Sequence, residues 1–160
     1  ATGRGRHGFG FQPQESREEL DGLAEVAYAK DGEARDQRGN PGDVALHAVA
    51  DAILGAAALG DLGTHFPSSD PQWHGADSVD LVAGVVEMAR GAGLVIDSVD
   101  VTIIAETVRM GAHREAMRTR LAAVLDVPID RVSVKATSTD GMGFIGNDEG
   151  IAAVAVAILN

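Results

Sequence analysis

An α/β (α+β) domain, built on a single mixed β-sheet with helices packed on one face, is the fold class this 160-residue sequence predicts. Two segments alternate as strands do: Val99, Val101 and Ile103 around Thr102, and Val154, Val156 and Ile158 opposite Ala153, Ala155 and Ala157. Between and before them lie three stretches with helical apolar spacing. The resulting order is strand, helices, strand, helix, strand, strand, with no internal repeat and one domain over residues 1–160.

The first strand is expected over Arg6 to Gln12, with His7, Phe9 and Phe11 on one face and Gly8, Gly10 and Gln12 on the other. From Glu15 to Asn40 the chain is charged and contains glycine, with Leu20, Leu23, Val26 and Tyr28 as sparse apolar points, so a variable loop or an edge hairpin is expected. A helix is expected from Asp43, because Leu46, Ala50, Ile53, Leu54 and Ala57 share a face. After a turn-rich stretch through Pro67 and Pro71, Asp77 or Ser78 is the N-cap of a second helix carrying Leu81, Val82, Val85, Val86 and Met88 and stopping at Gly91 or Gly93. Val95 to Ala105 is rich in β-branched side chains and reads as a buried strand. Gly111 separates it from a third helix, whose apolar face is Met117, Leu121, Val124 and Leu125 and whose end precedes Pro128. Arg131 to Thr137 and Ile151 to Leu159 return as strands; in the second, alternating large and small residues favour a strand over an Ala-rich helix.

Composition narrows the function. The balance of 24 Asp and Glu against 13 Lys and Arg gives a formal charge of −11, which repels nucleic acid and anionic membrane over most of the surface. Any phosphate must therefore be gripped locally. Zero cysteines exclude disulfides and thiolate metal sites and fit a reducing cytosol. No charged and apolar leader pattern opens the chain and no apolar run reaches spanning length, so a cytoplasmic location is expected.

Two constellations carry chemistry. Asp43, His47 and Asp51 form a polar line at i, i+4 and i+8, which is either a hydrogen-bonded stripe or a weak cation site. Thr137, Ser138 and Thr139 offer hydroxyls and backbone N–H groups to an anion without net charge, and Asp140 can hold a magnesium-type ion bridging two phosphates; alternatively the run is ordinary sheet sequence.

The run Gly42-Asp43-Val44-Ala45-Leu46-His47-Ala48 through Gly60-Asp61-Leu62-Gly63 to Phe66-Pro67 resembles the signature helix of the 2-C-methyl-D-erythritol 2,4-cyclodiphosphate synthase family. Asp100 to Glu106 with Arg109-Met110 is similar to that family's cytosine-holding strand and loop, with Val108 where the family has proline. Val134-Lys135-Ala136-Thr137-Ser138-Thr139-Asp140-Gly141-Met142-Gly143-Phe144 is similar to its diphosphate grip, and Gly146-Asn147-Asp148-Glu149-Gly150 stands where the family has Gly-Arg-x-Glu-Gly.

This resemblance implies a homotrimer with sites between subunits, closing a cytidine-diphospho-methylerythritol to a cyclic diphosphate with release of CMP. It implies nucleotide binding by Asp61, Gly63, Phe66, Ala105, Arg109, Met110, Gly111, Thr137, Ser138 and Phe144, with Ser138 and Asp140 as catalytic residues. Its metal triad is incomplete: Gly8-Phe9-Gly10-Phe11-Gln12 stands where the family has Gly-Phe-Asp-x-His, so of the expected ligands only His47 is present. Gly10 offers no side chain and Gln12 only a neutral oxygen, so a tight zinc site at His47 is not expected, whereas magnesium or manganese through Asp140 is. His7 falls on the opposite strand face. Gly39-Asn40 replaces the His-Ser pair before the helix, and Asn147 replaces the late Arg.

The expected partner is thus a cytidine nucleotide or CDP-linked small molecule, with standard cyclisation lost or altered. A non-catalytic trimeric scaffold or effector binder, and an active synthase using a set such as His47, Asp51 and Gln12, stand as alternatives. Trp73, His65, His74 and His113 are expected to be surface or packing residues.

Overall fold

In the computed structural model, residues 23–30 and 40–160 are described, the first of these segments by its backbone alone. Among the described residues, four strands form one mixed sheet in the order β1-β4-β2-β3, from Leu23–Lys30 (β1), Ile96–Ile104 (β2), Val132–Thr137 (β3) and Gly150–Leu159 (β4). β4 runs antiparallel to both β1 and β2, while β2 and β3 are parallel. The helices are Pro41–Ala56 (α1), Leu62–His65 (α2), Ser78–Gly91 (α3), Arg114–Leu125 (α4) and Gly143–Gly146 (α5).

The alternation read in the sequence decides which sheet face is covered. Val99, Val101, Ile103, Val132, Val134, Ala153, Ala155 and Ala157 join the core, whereas Thr102, Ser133, Lys135, Val154, Val156 and Ile158 lie on the face without helices. α1 crosses β4, β1 and β2, α3 packs on α1, and α4 packs on β3 and α3. The small residues of β4 turn toward α1, which brings its own Ala45, Ala48 and Ala52, all fully buried, so helix and sheet approach closely. Ile53, Leu54, Val49, Val85 and Ile103 fill the remaining space with no exposed surface. Each contributes roughly 1.5–3 kcal/mol of transfer free energy.

α1 is buried on more sides than the single apolar stripe expected, because it lies between the sheet and α3; nine of its 16 residues are buried. It also begins two residues before Asp43. Asn40 is the N-cap, its side chain accepting from the Gly42 N–H at 2.9 Å, and Pro41 occupies the first turn where a missing N–H costs nothing. The helix ends with Ala58 at φ +54°, a left-handed residue that lets the Leu59 N–H reach the Leu54 carbonyl at 2.8 Å.

The loop-or-hairpin expectation for 15–40 is corrected in part: Leu23–Lys30 is a strand, at the edge of the sheet among the described residues, paired with β4 from Leu23↔Ala157 to Lys30↔Gly150. The strand expected at Arg6 to Gln12, with His7, Gly10 and Gln12, and the replaced Gly39, lie outside the described residues. Asp77 caps α3 through the Val79 N–H at 3.0 Å, and the helix stops at Gly91 as expected. The one-turn helices α2 and α5 were not anticipated: four residues give too short a window for periodicity to register.

Candidate active site

The site residues fall into two groups. The first sits on the helical layer. His47 donates from Nδ1 to the Asp43 backbone carbonyl at 2.9 Å, and a carbonyl can only accept, so the proton is on Nδ1 and the Nε2 lone pair is left for a ligand. Asp43 in turn accepts from the Ser78 hydroxyl through Oδ1, which ties the start of α1 to the start of α3. Ser78 is a buried polar residue, 7% exposed, and this bond satisfies it. Asp51 Oδ1 accepts from the Leu62 N–H at 2.7 Å, so α2 returns to the flank of α1 one turn beyond His47. The polar line is therefore a hydrogen-bonded stripe, with both carboxylates engaged.

Asp61 caps α2. Its Oδ1 accepts from the Thr64 N–H at 2.8 Å and the Thr64 hydroxyl at 2.7 Å. The hydroxyl bond first and the backbone bond second hold the Asp61 carboxyl below the usual carboxylate range, against a smaller opposing effect of burial. Both bonds land on one oxygen of an exposed side chain, and Gly63 follows it, also exposed. Phe66 turns elsewhere: its ring packs edge-on to Trp73 at 4.9 Å and lies where a Cβ at Gly84 would approach its Cζ to 3.2 Å.

The second group lies at the carboxyl ends of the parallel strands β2 and β3, the usual location of binding loops in such sheets. Ala105 donates its N–H to the Thr137 carbonyl at 3.0 Å, setting side by side two of the positions expected at the base. Met110 is 5% exposed and anchors the loop in the core, while Arg109 and Gly111 are exposed. In the following loop Ser138 donates to Asp140 Oδ1 at 3.1 Å and Thr139 to the Met142 carbonyl at 2.7 Å. Asp140, Gly141 and Gly143 all have positive φ (52°, 79° and 69°), folding the loop tightly against α5. Met142 (70%) and Phe144 (41%) are among its exposed apolar side chains. No hydrogen bond or ion pair among the described residues joins the two groups.

Among the described residues no three His, Asp or Glu side chains come together in a metal-holding group. His47 has a nitrogen left for a ligand, and Asp43 and Asp51 each accept through Oδ1 alone, but among the described residues these side chains do not gather into one group, so they alone do not make a three-ligand site. Asp140 is a single exposed carboxylate, enough for a magnesium-type ion whose other ligands are phosphate oxygens and water. His65 and His74 donate to the Leu59 and Ser68 carbonyls at 2.7 and 3.2 Å, and His113 precedes α4. Sequence reasoning missed the bond between Thr107 and Asp148, described below; nothing in local spacing marks two residues 41 apart.

A mixed sheet of this order, with helices packed on it and loops at the ends of β2 and β3, is the fold of the cyclodiphosphate synthases. Solved structures share it: the bifunctional IspDF from Campylobacter jejuni (TM-score 0.76, 29% identity, covering 86% of this chain and 42% of that one), and a 2C-methyl-D-erythritol-2,4-cyclodiphosphate synthase in a CDP-bound form (TM-score 0.76, 24% identity, 87% and 99%). The sequence pattern of the YgbB family matches residues 23–160, and the chain belongs to that family. A 2-C-methyl-D-erythritol 2,4-cyclodiphosphate synthase of Stutzerimonas stutzeri is 53% identical over 118 residues, 74% of this chain and 75% of that protein. A bifunctional enzyme IspD/IspF of Hyphomonas neptunium is 56% identical over 117 residues, where this chain covers 73% of its own length but 31% of the relative's. The family match begins at residue 23, so the correspondence drawn for Gly10 and Gln12 lies outside it. No described helix is long and apolar enough to cross a membrane.

Proposed function

We propose that this protein binds a cytidine-diphosphate-linked polyol in a cleft shared between subunits of a homotrimer, and that the metal-assisted cyclisation implied by its resemblance is lost or altered. The observation that carries the reading is the division of the site residues into two unconnected groups, each incomplete alone. Asp61 and Gly63 of one subunit hold the ribose hydroxyls, with the Asp61 oxygen not engaged by Thr64 as acceptor. The Ala105–Gly111 loop and Thr137 of a neighbour hold the base; Arg109 lends a cation, Met110 fixes the loop, and the exposed Phe144 borders the cleft, while Phe66, packed on Trp73, supports the segment after Gly63 from behind.

Hydroxyls and N–H groups of Thr137, Ser138 and Thr139 grip the diphosphate, which lets a chain of net charge −11 bind an anion. Ser138, already in contact with Asp140, donates to the phosphate oxygens on which charge builds. A magnesium or manganese ion, when bound through Asp140, neutralises charge on the diphosphate. Location in the cytoplasm belongs to the same reading.

Titration calorimetry with CDP and CMP tests it: saturable binding is expected, and none at millimolar nucleotide overturns it. A second reading, an active synthase with a non-standard metal set, is favoured by a relative of 53% identity that is named as that synthase. Formation of cyclic diphosphate and CMP, with stoichiometric bound metal, would decide for this second reading.

A further inference from the structure

The loop between β2 and α4 is held at three points of different kinds. At its start the Ala105 N–H is bonded to the Thr137 carbonyl at 3.0 Å, and at its far end Met110 is buried in the core, 5% exposed. Between them the Thr107 hydroxyl reaches across to Asp148, lying 2.8 Å from Oδ1 and 2.9 Å from Oδ2. One hydroxyl proton shared between the two oxygens of a carboxylate is a charge-assisted bond, stronger than a neutral one. Asp148 is itself held in place: it sits at φ +59°, and its N–H donates to the Ile145 carbonyl of α5 at 2.9 Å.

The clasp therefore fastens the 105–110 loop to the segment that follows Ser138–Asp140, and the two loops share a second seam where β2 and β3 end. Arg109, which is exposed, lies on this loop between Thr107 and the buried Met110.

We infer that Thr107 and Asp148 are positioning residues that couple the base-holding loop to the diphosphate-gripping loop, so that each loop is preorganised for nucleotide by the other. This rests on the nucleotide reading given above. A loop ordered before binding spares the ligand that ordering free energy, so cutting the clasp should weaken binding without removing any ligand contact.

The test uses the full-length chain with Thr107→Val, which keeps shape and removes the donor; Thr107→Ser, which keeps the donor; and Asp148→Asn. Hydrogen exchange of the ligand-free protein and calorimetry with CMP are measured on each. Thr107→Val and Asp148→Asn should speed exchange across residues 105–111 and weaken CMP by about three- to tenfold, the range for one ordinary hydrogen bond, because solvent exposure offsets the charge assistance. Thr107→Ser should restore both, and the melting temperature should change little in all three. Equal exchange and equal CMP affinity in Thr107→Val and wild type would overturn the clasp. Failure of the wild type to bind CMP would instead overturn the nucleotide reading, while faster exchange in Thr107→Val would still support the clasp and equal exchange would remove it.

Discussion

Replacing Gly146 with alanine should disorder the Ser138–Gly143 loop, and the size of the effect follows from the backbone. A Cβ built at Gly146 falls 2.2 Å from the Gly141 carbonyl carbon and 2.7 Å from both its Cα and its oxygen. Ordinary contact begins near 3.4 Å, so the segments must separate by 1.2 Å (3.4 less 2.2), and the obstacle is backbone rather than the end of a movable side chain. Forcing an extra methyl into packed structure costs about 1–3 kcal/mol, and here the upper part of that range applies. For a chain of this size about 2 kcal/mol corresponds to a fall of about 4–8 °C in melting temperature.

The cost is capped by the free energy of opening the loop, so the rest of the strain should appear as weaker nucleotide binding. Calorimetric melting and CMP titration of Gly146→Ala measure both. Gly91→Ala is the control: it lies in the last turn of α3 with no atom within 4 Å of the new methyl, and it should hold or raise stability, by up to about 1 kcal/mol. A Gly146→Ala protein that melts and binds like the wild type would refute the close approach of residues 141 and 146.

Three further outcomes are expected. Ile53→Ala empties a fully buried position on α1 and should cost about 2–5 kcal/mol in urea unfolding; a loss under about 1 kcal/mol would contradict the packing of α1 between sheet and α3. Ala58→Gly removes the Cβ from a residue at φ +54° and should raise stability by about 1 kcal/mol, read from the denaturant midpoint, whereas a loss would contradict the left-handed turn. The Asp61 carboxyl is lowered in the folded chain, so its cap on α2 is fully present above the unfolded carboxyl pKa and is lost as pH falls through the lower folded value. The Thr64 amide resonance should therefore titrate with a midpoint below 3.8, and Asp61→Asn should abolish that titration; a midpoint at or above 3.8 would contradict the cap.

Most of the sheet was legible because β2, β3 and β4 alternate over Val99–Ile104, Val132–Lys135 and Ala153–Ile158; that the small residues of β4 are the ones that meet a helix was not legible, since it depends on the alanines of α1. α3 was legible from Asp77 to Gly91 because cap, apolar face and stop agree. The start of α1 was misplaced by two residues because apolar periodicity begins at Val44, whereas the cap chemistry of Asn40 and Pro41 sets the boundary. β1 is a strand that its sparse apolar points, Leu23, Val26 and Tyr28 among charged and small residues, conceal. Of the candidate site, motif resemblance singled out Asp61 and the Thr137–Asp140 run, but not their geometry. That Asp51 serves the Leu62 N–H and that Phe66 packs on Trp73 depend on the return of the chain after α1. Thr107 and Asp148 meet only because β2 and β4 are neighbours.

The most direct test of the shared cleft is a crystal structure of the protein with CDP. Asp61 of one subunit should contact the ribose while the base lies against Ala105–Gly111 and Thr137 of the next, around a three-fold axis. CDP held by both groups of a single chain, or bound to a monomer in solution with undiminished affinity, would contradict the account.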